Sequence, residues 1–317
     1  MGIFRLILYI TAFAVLALAS NLIVTTISSF SKRVRIPPFV FSFFVVGLLT
    51  SVGEIAVAIN AVSIHQPEIF VGSLLGGTLV IFLLVIPLTA ILTKGIRIKQ
   101  HLSLKNLLVV LGIIATPAVF TLDRTVTNME GFLLIVFYIA LFYIIRAPRG
   151  ALTKVEAVFK KESKSLRENT FLRLGMGGLL VFLSSRFIVE QTVVYSDHYH
   201  VSTFLVSLVF VAIGMNLPEL SLAIHAALGK QAKVEDIAIG DFLGSAAANV
   251  VLFGIFTLIN NGDVITSSNF TSTFLFIALA LIGFFAFTRG KHTLTSREGF
   301  VLISLYGGFV AVKFIAG

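Results

Sequence analysis

Long apolar runs leave this sequence few folds to choose from. Stretches near 3–28, 38–63, 68–93, 106–122, 129–146, 171–190, 201–227, 236–260, 270–288 and 298–316 are apolar almost end to end. A helix of about 20 such residues spans a bilayer with its backbone hydrogen bonds satisfied internally. The expected fold is therefore all-α and integral to a membrane, with ten transmembrane helices. Only 12% of residues are charged, against about 25% in a soluble globule. The first run, ending Leu16-Ala17-Leu18-Ala19-Ser20, has a signal-peptide flavour. It outlasts the apolar core of a signal peptide, about 7–15 residues, so it is expected to remain as a span.

Basic residues indicate orientation. The loops after spans one, three, five, seven and nine hold Lys32, Arg33, Arg35; Lys94, Arg97, Lys99, Lys105; the run from Arg146 to Arg173; Lys230, Lys233; and Arg289, Lys291, Arg297. Only Arg5, Arg124, Arg186 and Lys313 remain for the other side. The positive-inside rule puts the odd-numbered loops in the cytoplasm and both termini outside. The pI of about 9.9 is thus a topology signal, with some attraction to anionic lipid, and not a nucleic-acid patch. Zero cysteines exclude disulfides, cysteine metal sites and thiol catalysis.

Three carboxylates, Glu54, Glu219 and Asp241, lie inside these apolar runs. Each costs about 2.5–3.5 kcal/mol to insert, so such groups usually face a water-filled path or an ion. Two of them sit in segments that resemble each other. Leu49-Thr50-Ser51-Val52-Gly53-Glu54-Ile55 matches Gly214-Met215-Asn216-Leu217-Pro218-Glu219-Leu220, and Gly72-Ser73-Leu74-Leu75-Gly76-Gly77 matches Gly240-Asp241-Phe242-Leu243-Gly244-Ser245. Five spans separate the copies, so the second enters the membrane from the opposite side. Two inverted five-helix repeats follow, residues 1–147 and 171–317, joined by a cytoplasmic linker at 148–170. Such repeats place binding sites at the midplane between the halves.

Gly53 and Pro218 are expected to break their helices just before the glutamates and free backbone carbonyls for a cation. Thr50, Ser51 and Asn216 add neutral oxygens. The Gly72/Gly76 and Gly240/Gly244 pairs are expected to let the third and eighth spans approach closely, with Ser73 and Asp241 beside that contact. An all-oxygen site of this kind suits a hard cation such as Ca²⁺, which takes about 6–8 oxygen ligands.

These residues resemble the alpha repeats of the calcium/cation antiporter superfamily, which includes the sodium/calcium exchangers. The likeness is specific at 47–80 and 214–252, and closer in the second repeat, where Asn249 follows Gly244-Ser245. The resemblance implies a secondary antiporter exchanging Ca²⁺ for Na⁺ by alternating access, with spans one and six sliding past the core. It makes Glu54 and Glu219 the central calcium ligands, Asp241 and Ser73 flanking residues, and Thr50 and Ser51 sodium-site hydroxyls. The chain departs from the pattern at Leu49 and Gly53, at Ser73, Gly77 and Thr78, and at Met215 and Asn216. Two hydroxyls are thereby lost from one half, which keeps a Ca²⁺ (or Mn²⁺)/H⁺ exchanger open as the alternative.

The transported cations are the expected ligands, without a resident cofactor, and the lipid bilayer is the expected surrounding. Protein partners stay open. The compact form suggests a prokaryotic plasma membrane. From other classes, an intramembrane hydrolase would need a Glu/His site near His65 or His225, and no His-Glu-x-x-His or Gly-x-Ser-x-Gly occurs; the expectation is not an enzyme. His198 and His200 fall in an outer loop, and His225 holds the repeat position of Asn60. A cation channel remains the other alternative.

Overall fold

The structure is a computed structural model describing residues 3–31, 38–97, 102–145, 168–229, 232–260, 264–265, 270–291 and 293–316. Helices occupy the apolar runs: α1 (Ile3–Ser31), α2 (Phe39–Ser63), α3 (Pro67–Leu92), α4 (Leu104–Phe120), α5 (Asn128–Ile144), α6 (Glu168–Tyr199), α7 (Thr203–Met215 with Leu217–Leu228), α8 (Ala232–Ile259), α9 (Thr271–Lys291) and α10 (Ser296–Ala316). Seven of these are long and apolar enough to cross a membrane singly; α7 is a bent pair, and α4 and α5 are shorter, at 17 residues each. Helices α3 and α8 form the centre, 94% and 83% buried, while α1, α6, α9 and α10 present mostly outer surface. The expected linker, 148–170, lies outside the described residues as far as 167, and its last three residues already belong to α6; Lys32, Arg33, Arg35, Lys99 and Lys230 also lie outside the described residues.

Helix α6 runs nine residues past its expected end. Its polar last turns, with Glu190, Gln191 and Asp197, contain no Gly or Pro, and the helix stops only at His200, whose φ is 55°. Polarity ends an apolar run without ending a helix.

The inverted repeat reaches well beyond the carboxylate segments. In α1/α6 and α2/α7, equivalent residues are offset by 165 (Glu54 and Glu219); from α3/α8 onward the offset is 168 (Gly72 and Gly240). Strand β1 (Ile96–Arg97) pairs with β4 (Thr293–Leu294), and β2 (Thr125–Val126) with β3 (Val264–Ile265). The repeat exchanges the two ribbons in register: Ile96 opposite Leu294 becomes Val264 opposite Val126. One ribbon ties together loops that follow α3 and α9, the other loops that follow α4 and α8, so each joins loops of one parity. Equivalent capping boxes open α5 and α10. Glu130 Oε2 accepts from the Thr127 N–H at 2.8 Å, and Glu298 Oε2 from the Thr295 N–H at 2.7 Å. Thr127→Ala or Thr295→Ala should lower stability by about 1 kcal/mol each, measured by thermal unfolding in detergent; no change would remove the boxes as determinants of these helix starts.

The glycine pairs do not join α3 to α8 as expected. A Cβ on Gly72 would lie 2.6 Å from the Phe204 carbonyl oxygen, and one on Gly76 2.1 Å from that of Leu208, both in α7. The equivalent Gly240 and Gly244 meet the carbonyl oxygens of Phe39 and Phe43 in α2, at 2.8 and 2.1 Å. Each pair seats its helix on the opposite repeat's broken helix, where the backbone swells into a wide π-turn, Ser42–Val46 in α2 and Ser207–Val211 in α7. A wide turn brings carbonyls outward, and only glycine leaves room for them.

Candidate cation site at the two helix breaks

Helices α2 and α7 break at equivalent residues. Ser51 (φ −74°, ψ 11°) separates Gly47–Thr50 from Val52–Ser63, and Asn216 (φ −89°, ψ 16°) separates Ala212–Met215 from the second half of α7. The expected breakers, Gly53 and Pro218, thus stand just inside the new helices rather than at the breaks. A proline is tolerated near a helix start and disrupts the turn before it. Pro218 goes with a 42° bend in α7, whereas α2, with Gly53, still counts as one span. Glu54 and Glu219 fall in the first turn of each new helix, where unpaired N–H groups favour negative charge.

Glu54, Glu219 and Asp241 are all buried, and each keeps one carboxylate oxygen without a partner among the described residues. Glu54 lies within electrostatic reach of both others. Thr50 Oγ1 is 3.3 Å from Asp241 Oδ1 and also reaches Glu219, and Ser245 Oγ donates to Glu219 Oε1 at 3.0 Å. Ser51, Ser73 and Asn216 are buried too, but donate to carbonyls of their own helices: Ser51 Oγ to Gly47 (2.9 Å), Ser73 Oγ to Phe70 (3.1 Å) and Asn216 Nδ2 to Ala212 (2.8 Å). That leaves the Asn216 Oδ1 without a partner.

Two residues quoted in the motif, but not expected as site residues, belong with this set. Ser245 holds Glu219. Asn249 donates Nδ2 to the Leu74 carbonyl at 3.3 Å and keeps its buried Oδ1 unpartnered. Their position in the Gly-Ser-x-x-x-Asn run of the second repeat was the available signal. Among the described residues no three Asp, Glu or His side chains form a ready-made metal cage. A hard cation here would therefore have to draw on hydroxyl, carboxamide or carbonyl oxygens besides the carboxylates.

The halves of the site are unequal. Glu219 has hydroxyl partners at Ser245 and Thr50; the equivalent residues on the Glu54 side are Gly77 and Met215, and among the described residues no side chain hydrogen-bonds Glu54. Two departures from the family pattern fit each other there: the Met215 Cε lies 3.0 Å from where a Gly53 Cβ would stand. The empty side-chain position of Gly77 is met by the amides of Asn249 and Asn216, at 3.0 and 3.3 Å.

A family described as sodium/calcium exchanger protein matches residues 4–146 and 169–315. The chain belongs to the sodium/calcium exchanger family. The exchanger is 27% identical over 302 residues to CaxA of Alkalimonas amylolytica, provisionally named an antiporter, covering 90% of this chain and 91% of that one. It is 27% identical over 135 residues to the sodium/calcium exchanger MaX1 of Methanosarcina acetivorans, covering 42% of this chain and 37% of the relative. Among solved structures it superposes on the H⁺/Ca²⁺ exchanger CAX with a TM-score of 0.73 at 15% identity, covering 98% of this chain and 86% of that one. The sodium-calcium exchanger NCX_Mj gives 0.67 at 19% identity, covering 98% and 99%. At those identities the likeness is one of fold. The exchanger is thus a multi-pass, all-α membrane antiporter for cations.

Proposed function

We propose that the chain exchanges Ca²⁺ for Na⁺ by alternating access, with the divalent ion held between Glu54 and Glu219 and flanked by Asp241. The observation that carries this is the set of three buried carboxylates, each with an unpartnered oxygen among the described residues, two at equivalent helix breaks and the third, Asp241 of α8, beside Thr50. Thr50, Ser51, Ser73 and Asn216 supply neutral oxygens. Charge balance gives a reason for obligatory exchange. Three ionised carboxylates are neutralised by three monovalent cations, or by one divalent cation with one carboxylate protonated. Either loaded state crosses without an uncompensated buried charge, whereas the empty state does not.

A second reading, Ca²⁺ or Mn²⁺ exchanged for H⁺, is favoured by the bare Glu54 side. Gly77 and Met215 withhold there the hydroxyl oxygens that Na⁺ would need. Both readings share the divalent site and differ in the coupling ion.

The test is equilibrium ⁴⁵Ca²⁺ binding to the detergent-purified protein, with Mn²⁺, Na⁺ and pH as competitors. Saturable binding displaced by Mn²⁺ is expected; absence of saturable binding at millimolar Ca²⁺ and at any pH would overturn the divalent assignment. Met215→Thr should restore an oxygen to the poorer half. Na⁺ should then displace ⁴⁵Ca²⁺ at a concentration about fivefold lower than in the wild type, the order of one added hydrogen-bonding ligand at about 1 kcal/mol. Unchanged competition would mean that monovalent cations do not use that side.

A further inference from the structure

The repeat equivalence exposes one contact that is made in one half and absent from the other. Asn60, on the second half of α2, donates Nδ2 to the Ala56 carbonyl at 2.9 Å and to Ser185 Oγ of α6 at 2.8 Å. Ser185 Oγ in turn donates to the Phe182 carbonyl at 2.9 Å. The 165-residue offset converts these residues into His225, Ser221, Ser20 and Ala17. The equivalence of α1 and α6 is supported by burial: Leu16, Ala19, Ser20 and Ile23 are buried, as are Val181, Ser184, Ser185 and Ile188.

Half of the contact survives the conversion. His225 Nδ1 lies 2.8 Å from the Ser221 carbonyl oxygen, as Asn60 Nδ2 lies against that of Ala56. The bond between helices does not. Ser20 Oγ is buried beside Gly53 without a partner among the described residues, and His225 is exposed where Asn60 is covered by α6. The difference lies in how far each outer helix covers its broken partner: α6 lies along the second half of α2 more extensively than α1 lies along the second half of α7.

In a carrier built from inverted repeats, the two halves exchange their conformations when access switches sides. We propose that Ser20 and His225 form, in the opposite-facing state, the counterpart of the Asn60–Ser185 bond, and that the two bonds are made alternately. The chemistry permits it. Donation of Nδ1–H to Ser221 leaves Nε2 as an acceptor, and the Ser20 hydroxyl is a donor with no other claim on it. The four residues are positioning residues: none ligates the ion, and each pair holds an outer helix over one end of the path. The inference rests on the reading of this exchanger as an alternating-access carrier, and does not depend on which ions it carries.

The absence of native cysteine makes the test direct. Pairs N60C/S185C and S20C/H225C are each introduced into the full chain and reconstituted in proteoliposomes. A copper–phenanthroline oxidant is added at rest and under opposed Ca²⁺ and Na⁺ or H⁺ gradients. The S20C/H225C disulfide should appear under the conditions in which N60C/S185C crosslinks least, and the yields of the two pairs should move in opposite directions as the gradient is reversed. Failure of S20C/H225C to crosslink under every gradient, or yields that rise and fall together, would overturn the proposal. Should the cysteine variants not fold, hydrogen exchange of Asn60→Ala and His225→Ala replaces them. Asn60→Ala should speed exchange in 52–63 and slow it in 217–228, and His225→Ala should do the reverse; matching changes in both would overturn it. Failure of the ion assignment would appear instead as absent ⁴⁵Ca²⁺ binding and gradient-independent crosslinking of both pairs, with the opposite hydrogen-exchange responses of Asn60→Ala and His225→Ala unaffected.

Discussion

Glu54→Gln and Glu219→Gln should each abolish ⁴⁵Ca²⁺ transport while leaving a folded, monodisperse protein in detergent. A carboxamide has nearly the shape of the carboxylate, so packing at these buried positions is preserved. What is lost is one unit of negative charge from a buried site. Removing one partner of a buried charge interaction costs about 3–5 kcal/mol, at least a hundredfold in affinity. The two variants should also differ in kind. Glu219 has Ser245 at 3.0 Å and Thr50 near it, so Glu219→Gln keeps hydroxyl partners for its new amide oxygen. Among the described residues no side chain hydrogen-bonds Glu54, so Glu54→Gln gains no side-chain partner for its amide and should be the less stable of the two. Binding curves and melting temperatures check both statements. Wild-type ⁴⁵Ca²⁺ affinity in either variant would remove that glutamate from the site.

The second large effect concerns packing. Gly76→Ala and Gly244→Ala would each place a Cβ 2.1 Å from a backbone carbonyl oxygen, of Leu208 and Phe43. Backbone cannot swing aside as a side-chain tip can, so α3 would have to lift from α7, or α8 from α2. Overpacking costs about 1–3 kcal/mol when side chains absorb it; against backbone the upper end or more is expected, about 10 °C in melting temperature. Gly112→Ala and Gly308→Ala are the controls, since nothing lies within 4 Å of the added carbon at either position. Equal melting of Gly76→Ala, Gly244→Ala and the controls would show that the glycine contacts do not hold the core together.

Much of this molecule could be read from its residues, for identifiable reasons. Apolar length is a strong signal because the bilayer sets it, and the helices start and stop within a few residues of the runs, apart from α6. The carboxylates stood out because charge in an apolar run is costly. The partner of each glycine pair was not legible: a small-residue face shows that something approaches closely, but not which helix, and the wide turns of α2 and α7 that receive the glycines have no composition of their own. The capping boxes at Thr127–Glu130 and Thr295–Glu298 were legible in principle, as Thr-x-x-Glu recurs at the 168-residue offset. They stand at the same 168-residue offset that relates Gly72 to Gly240. The inequality of the two glutamates was half legible. Met215 and Gly77 announce missing hydroxyls, but only the structure shows Ser245 and Thr50 on Glu219 and nothing on Glu54.

The central claim, obligatory exchange at a site shared by the two repeats, is tested most directly by ⁴⁵Ca²⁺ uptake into proteoliposomes at clamped voltage. The interior is loaded with Na⁺, acidified, or left without either. Uptake that requires one of the two internal cations is the expected result, and whichever supports it is the coupling ion. Uptake at the same rate into vesicles containing neither would mean conduction rather than exchange, and would contradict the account.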